Sequence, residues 1–200
     1  DIAVGTDGEY AQALQTRTLC THRVPCGQHR LVALALSDDC RTVLIGHFGN
    51  HVHIVRLEAN LRAVEADDVH GLPEGMTTPW RGVCVPDRQW ALVACYEGVA
   101  AVSMRSGETR IVMRWPSVGH YDARCCTVSA CGRMAAFGCQ PRTVILIREL
   151  DSALHDGNAN VLTIYHDAQT PQSVSFSPCG NYIVVAGGGG HVVVYSTRTG

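Results

Sequence analysis

Apolar residues in this chain come in short runs of five or six, alternating or continuous, and no run repeats with the period of a helix. In residues 171–200, PQSVSFSPCGNYIVVAGGGGHVVVYSTRTG, Val174 and Phe176 alternate with polar positions up to the turn Ser177-Pro178-Cys179-Gly180. The run Tyr182 to Ala186 follows, four glycines interrupt it, and HVVVY begins at His191. Three short antiparallel strands joined by tight turns are predicted, with Phe176 a buried aromatic. The same text recurs upstream. HVHIV, GVAAV, TVILI and HVVVY start at residues 51, 98, 143 and 191, at intervals of 47, 45 and 48. A period of this length signals a repeat architecture.

On that period, residues 1–28 read as the remnant of a preceding repeat, with Gly8 in the place that Gly49 and Gly190 hold later. Repeats follow at 29–70, 71–118 with its leading loop, 119–165 and, incomplete, 166–200. In the first, LVALALSDDC supplies an inner strand and turn, TVLIGHFGN a middle strand and turn, and HVHIVRLE a third strand. An outer strand is expected at 61–65, then a polar connection over 66–79 that contains Asp67-Asp68, Gly71, Pro73 and Gly75. The third repeat carries an insertion, DSALHDGNAN, which Asp156-Gly157-Asn158 mark as a loop. A lone four-stranded sheet cannot bury both apolar faces, whereas sheets stacked face to face can. The expected fold is all-β: a β-propeller arc of about four and a half four-stranded blades within a larger ring.

The residues now assembled resemble the WD40 family. Gly119-His120, nine positions before Ser129, looks like that family's Gly-His ahead of the inner strand, and His166 before Ser177 and His29 before Ser37 are similar. PQSVSFSPCGNYIVVAGG resembles the family's strand-turn-strand pattern, with Cys179 where aspartate usually stands. The resemblance covers residues 31–200 and is most specific over 119–200. The Trp-Asp dipeptide is absent: its places hold Val55-Arg56, Val102-Ser103, Ile147-Arg148 and Tyr195-Ser196. The histidine-centred hydrogen-bond network that braces family blades is therefore expected to be incomplete. Family rings close with about seven blades, so the resemblance implies further blades from a longer parent chain or a partner.

Composition narrows the chemistry. At 46% hydrophobic and 17% charged over 200 residues, the chain can bury a sizeable core. A net charge of -2 with interspersed signs gives no footprint for nucleic acid, and no run reaches the roughly 18 apolar residues of a membrane span. The chain opens at Asp1 without a basic-then-apolar leader, so a piece of a longer, cytoplasmic polypeptide is expected. All 16 basic residues are arginine. That excludes a P-loop lysine, a Schiff-base lysine and a lysine general base. Ten cysteines include no C-x-x-C pair, and clusters such as Cys125-Cys126 with Cys131 and Cys20 with Cys26 lack zinc-site spacing. Cys95 and Cys139 end middle strands, while Cys131 and Cys179 sit in turns, as structural thiols of a reducing compartment.

The remaining candidates divide between chemistry and contact. Glycines 187–190 lie in a strand-to-strand turn with no Lys-Ser/Thr after them, and no nucleophile elbow exists. Asp38-Asp39 and Asp67-Asp68 sit in turn-rich stretches. His47, His51 and His53 could hold a metal, but solvated turn histidines fit the pattern better. One surface signal repeats. Counting five residues back from Pro86, Ser129 and Ser177 lands on Arg81, Arg124 and Gln172, with Val32 in the first repeat. In the family that place lies on the rim where partners dock, and Trp80 and Tyr121 adjoin it, residue types that dominate binding hot spots. The expectation is a non-catalytic protein–protein interaction scaffold with no cofactor, no nucleic acid and no membrane insertion, binding through Trp80, Arg81, Tyr121, Arg124 and Gln172. The alternatives are a propeller enzyme with a channel metal or carboxylate site, and a ubiquitin-ligase substrate receptor. For the last, Tyr195-Ser196-Thr197-Arg198 keeps only the arginine of the Trp-Asp-x-Arg signature.

Overall fold

A computed structural model of the chain describes residues 2–6, 10–15, 20–25, 31–37, 39–47, 49–57, 63–86, 89–115, 121–166 and 170–200, with side chains from residue 32 onward other than 63–69. Gly8, Cys26, His29, Asp38 and Gly119-His120, singled out above, lie outside the described residues. The side chains of Cys20, Asp67 and Asp68 do so too.

Five antiparallel sheets follow one another, each with its strands in chain order. The first holds β1 (Ile2–Thr6), β2 (Tyr10–Gln15) and β3 (Cys20–Pro25). The second holds β4 (Leu31–Leu36), β5 (Thr42–His47), β6 (His51–Leu57) and β7 (Ala63–Gly71). The third holds β8 (Pro79–Val85), β9 (Trp90–Cys95), β10 (Gly98–Ser103) and β11 (Thr109–Arg114). In the fourth, β12 (Asp122–Val128), β13 (Ala135–Gln140) and β14 (Thr143–Arg148) are followed by helix α1 (Leu150–Asp156) and β15 (Asn160–Tyr165). The fifth holds β16 (Pro171–Phe176), β17 (Tyr182–Gly187) and β18 (Val192–Ser196). Strands β4, β8, β12 and β16 lie side by side as an inner row, and β1 meets β4 as the middle strands β5 and β13 meet β8 and β16. This is an arc of a β-propeller, about four and a half blades of four strands.

The core sits between the sheets, and it explains the continuous apolar runs. Ala91, Val93 and Cys95 of β9 face the second sheet with Leu44, Val52 and Ile54, whereas Leu92 and Ala94 face the fourth with Phe137 and Ile145. A strand buried on both faces has no polar side to alternate with. Sheets four and five close on Ala136, Val144, Leu146, Ile183 and Val185.

Four expectations change. The insertion after β14 is a helix, because Leu150, Ala153 and Leu154 stand at i, i+3 and i+4 and bury one stripe in the core, and Gly157 ends it at φ 70°. The outer strand of the second sheet runs on through Asp67-Asp68 to Gly71, pairing Ile54 with Asp68 and Val52 with His70. An edge strand tolerates such polar residues. Phe176 is only partly buried, and among the described residues the fully buried phenyl ring is Phe137. His47 is no solvated turn residue: it is buried, with its ring 4.3 Å from that of His53. One of the histidines compared above with the family's Gly-His is described. His166 is buried and its Nδ1 lies 2.7 Å from the hydroxyl of Tyr195, the residue standing where the tryptophan would fall. Among the described residues no helix is long and apolar enough to cross a membrane.

Candidate protein-interaction rim

The pairing of inner with middle strand slips once near the start of every inner strand in sheets two to five. The slips fall between Leu31 and Ala33, Pro79 and Arg81, Ala123 and Cys125, and Pro171 and Ser173. The residues left over are Val32, Trp80, Arg124 and Gln172. A bulge breaks the alternation of side chains and re-aims the extra residue, so these four positions repeat along one end of the inner row. Pro79 and Pro171 are the sequence signal for it, since a residue without an N–H suits a strand's first position or a bulge.

Trp80, not Arg81, therefore shares the register of Arg124 and Gln172. Val85 pairs with Trp90 and closes the β8–β9 turn over residues 86–89, while Val128 pairs with Ala135 over 129–134 and Phe176 with Ile183 over 177–182. The shorter turn zips β8 one pair further, so counting back from Pro86 lands one residue late.

Arg81 is exposed and bridges sheets. Its Nε donates to the Arg124 carbonyl at 2.8 Å and its Nη1 to the Trp80 carbonyl at 2.7 Å. Arg124 is also exposed, but its Nη2 lies 2.7 Å from Asp122 Oδ2 and donates to Gln140 Oε1 at 3.3 Å. Asp122 thus offsets the charge of Arg124, whereas Arg81 has no carboxylate partner among the described residues. The positive field of Arg81 reaches inward: it opposes the burial that pushes the thiols of Cys125 and Cys126 up. Gln172 is exposed; Trp80 is half-buried, with its indole Nε1 buried and without a hydrogen-bond partner among the described groups. Tyr121 leaves the set. It is 7% exposed, its ring 5.9 Å from Trp115, which in turn packs 6.1 Å from Phe137, so it is a core residue. An aromatic beside a rim is drawn inward when a neighbouring aromatic cluster offers more contact than water.

Chemistry elsewhere is sparse. Among the described residues no group of three or more His, Cys, Asp or Glu side chains is placed to hold a metal ion. The eight cysteines whose side chains are described are free thiols.

No protein-family model matches this chain, and no curated protein matches it. Among solved structures it is similar to the β-propeller domain of Cps50 (Swd1) from Myceliophteria thermophila, with a TM-score of 0.67 at 10% sequence identity. The match covers 98% of this chain and 64% of that structure. At this identity the likeness shows the fold alone.

Proposed function

We propose that this chain is a non-catalytic protein–protein interaction module of the WD40 type, which docks an acidic segment of a partner on the rim formed by Trp80, Arg81, Arg124 and Gln172. The observation that carries the reading is the repeated bulge, which brings an indole, an arginine and an amide to one end of the inner strands, with Arg81 next to the first. Arg81 is held by two backbone carbonyls and has no carboxylate partner among the described residues, so a carboxylate can approach a donor that is already oriented. The outer face of the fifth sheet is the second contact surface. It presents Val192 and Val194 at 66% and 60% exposure, with Tyr182 at 51% on the same face, whereas Val144 and Leu146, which match Val192 and Val194 in the fourth sheet, are fully buried. A further antiparallel sheet with an apolar face fits there.

The rim is tested by binding to immobilised acidic peptides, alongside thermal melting. Arg81→Ala with Arg124→Ala should weaken binding about tenfold or more and cost no more than about 1 kcal/mol of stability. Equal binding by the double variant, with the fold intact, would overturn the assignment.

A further inference from the structure

At the opposite end of the inner strands, three turns share one hydrogen-bond plan. In each, a serine hydroxyl accepts the N–H of the residue five ahead: Thr42 to Ser37 at 2.9 Å, Met134 to Ser129 at 3.0 Å and Tyr182 to Ser177 at 3.1 Å. The residue three ahead of the serine has positive φ: Cys40, Gly132 and Gly180 at 56°, 67° and 71°. The residue two ahead faces the hydroxyl. In the first turn it is Asp39, whose Oδ1 accepts from Ser37 Oγ at 2.6 Å and from the Arg41 N–H at 2.9 Å. A carboxylate can only accept, so this slot is built to hold an anion.

In the other two turns a thiol occupies the slot. Cys131 Sγ lies 3.5 Å from Ser129 Oγ, and Cys179 Sγ lies 3.3 Å from Ser177 Oγ. Both thiols are exposed. The serine, joined by the N–H of Arg133 or Asn181, pulls each below its ordinary acidity range. Both cysteines line one groove of about 520 Å³ between the fourth and fifth sheets. Arg133, Arg148 and Arg198 share its walls with Glu149 and Asp151, so cations outnumber anions there while the thiols are protonated.

We propose that Cys131 and Cys179 form a paired thiol-modification site that undergoes thiol–disulfide exchange with a small anionic disulfide of the oxidised-glutathione class. The cysteine thiolate attacks one sulfur of that disulfide. A new sulfur–sulfur bond forms to the protein as the old one breaks, and the released glutathione thiolate leaves with the bonding pair and takes a proton from water. The protein thiol is oxidised to a mixed disulfide, and one half of the reagent is reduced to a thiol. The arginines meet the carboxylates of the incoming peptide. The site lies apart from the proposed docking rim and does not depend on it.

The test reacts the intact protein at neutral pH with oxidised glutathione and, separately, with uncharged hydroxyethyl disulfide, mapping adducts over time by mass spectrometry. Cys131 and Cys179 should acquire glutathione at least about tenfold faster than Cys40, Cys84 and Cys125. Arg133→Ala should slow the reaction of Cys131 with glutathione disulfide but not with the uncharged reagent. Ser177→Ala should move the pH–rate profile of Cys179 to higher pH while Cys131, in the same molecule, keeps its own. Adducts forming as fast on Cys40 or Cys84, or an unchanged profile in Ser177→Ala, would overturn the proposal. Equal slowing of both reagents by Arg133→Ala would overturn the part given to the arginines.

Discussion

Phe137 has no exposed surface and packs edge-on against Trp115 between the third and fourth sheets. Phe137→Ala should cost about 3–5 kcal/mol, read as a shift in the urea midpoint, while Phe176→Ala at its half-buried site should cost clearly less. Equal costs would mean that the two rings are equally enclosed. Buried thiols make a second residue-scale demand. Burial pushes Cys95 and Cys126 from 9.0 up to about 12, with Glu97 adding at the first and Cys125 at the second, and pushes Cys139 higher still. Their folded pKa values are raised, so the folded state holds its protons longer. The stability these thiols contribute is complete below about pH 9 and is lost as pH climbs toward 12, at about 1.4 kcal/mol per pH unit for each. Urea titrations from about pH 8 to about pH 11 should show that fall, and replacing the three cysteines with alanine should flatten it.

At the scale of elements, the sheets pack closely because glycine stands where the next sheet begins. A Cβ on Gly138 would lie 2.5 Å from Cys125 Sγ and 2.8 Å from Pro171 Cβ. One on Gly46 would lie 2.8 Å from Pro79 Cγ and 2.9 Å from Ala33 Cβ. Both glycines occupy the same place in a middle strand, paired with the residue that follows the bulge of the inner strand. Gly138→Ala and Gly46→Ala should each destabilise by about 1–3 kcal/mol through overpacking. Gly71→Ala, with nothing within 4 Å of the added carbon, serves as the control and should melt with the wild type. The helix α1 belongs at this scale as well: seven residues suffice because three of them are buried and Arg110 Nη1 donates to the Leu154 carbonyl at 3.1 Å. Isolated in water, so short a helix would not form.

For the whole molecule, the exposed apolar face of the fifth sheet is expected to govern association. Val192→Thr with Val194→Thr should leave stability within about 0.5 kcal/mol and reduce light scattering at high protein concentration, since exposed apolar sheet surface promotes self-association. The same pair of changes at Val144 and Leu146 should cost several-fold more stability, because those positions are covered. If both pairs behaved alike, the fifth sheet would already be covered as the fourth is.

The sequence by itself determined the repeat and the first three strands of each unit, since each is local: a run of five apolar residues, a turn such as Ser177-Pro178-Cys179-Gly180, and a spacing near 46 residues are visible without neighbours. Even the family resemblance rests on such local text, whereas the contact of Tyr195 with His166, 29 residues apart, is visible only in the structure. Only the tertiary structure decided which residues share the rim. The short β8–β9 turn shifted the register by one and put Trp80 where counting had put Arg81, and that turn's closure depends on pairing across strands. Tyr121 went to the core because Trp115 and Phe137, from other strands, meet there. Strand pairing and burial are relations between distant segments, and a one-dimensional pattern fixes them only where turn lengths are equal.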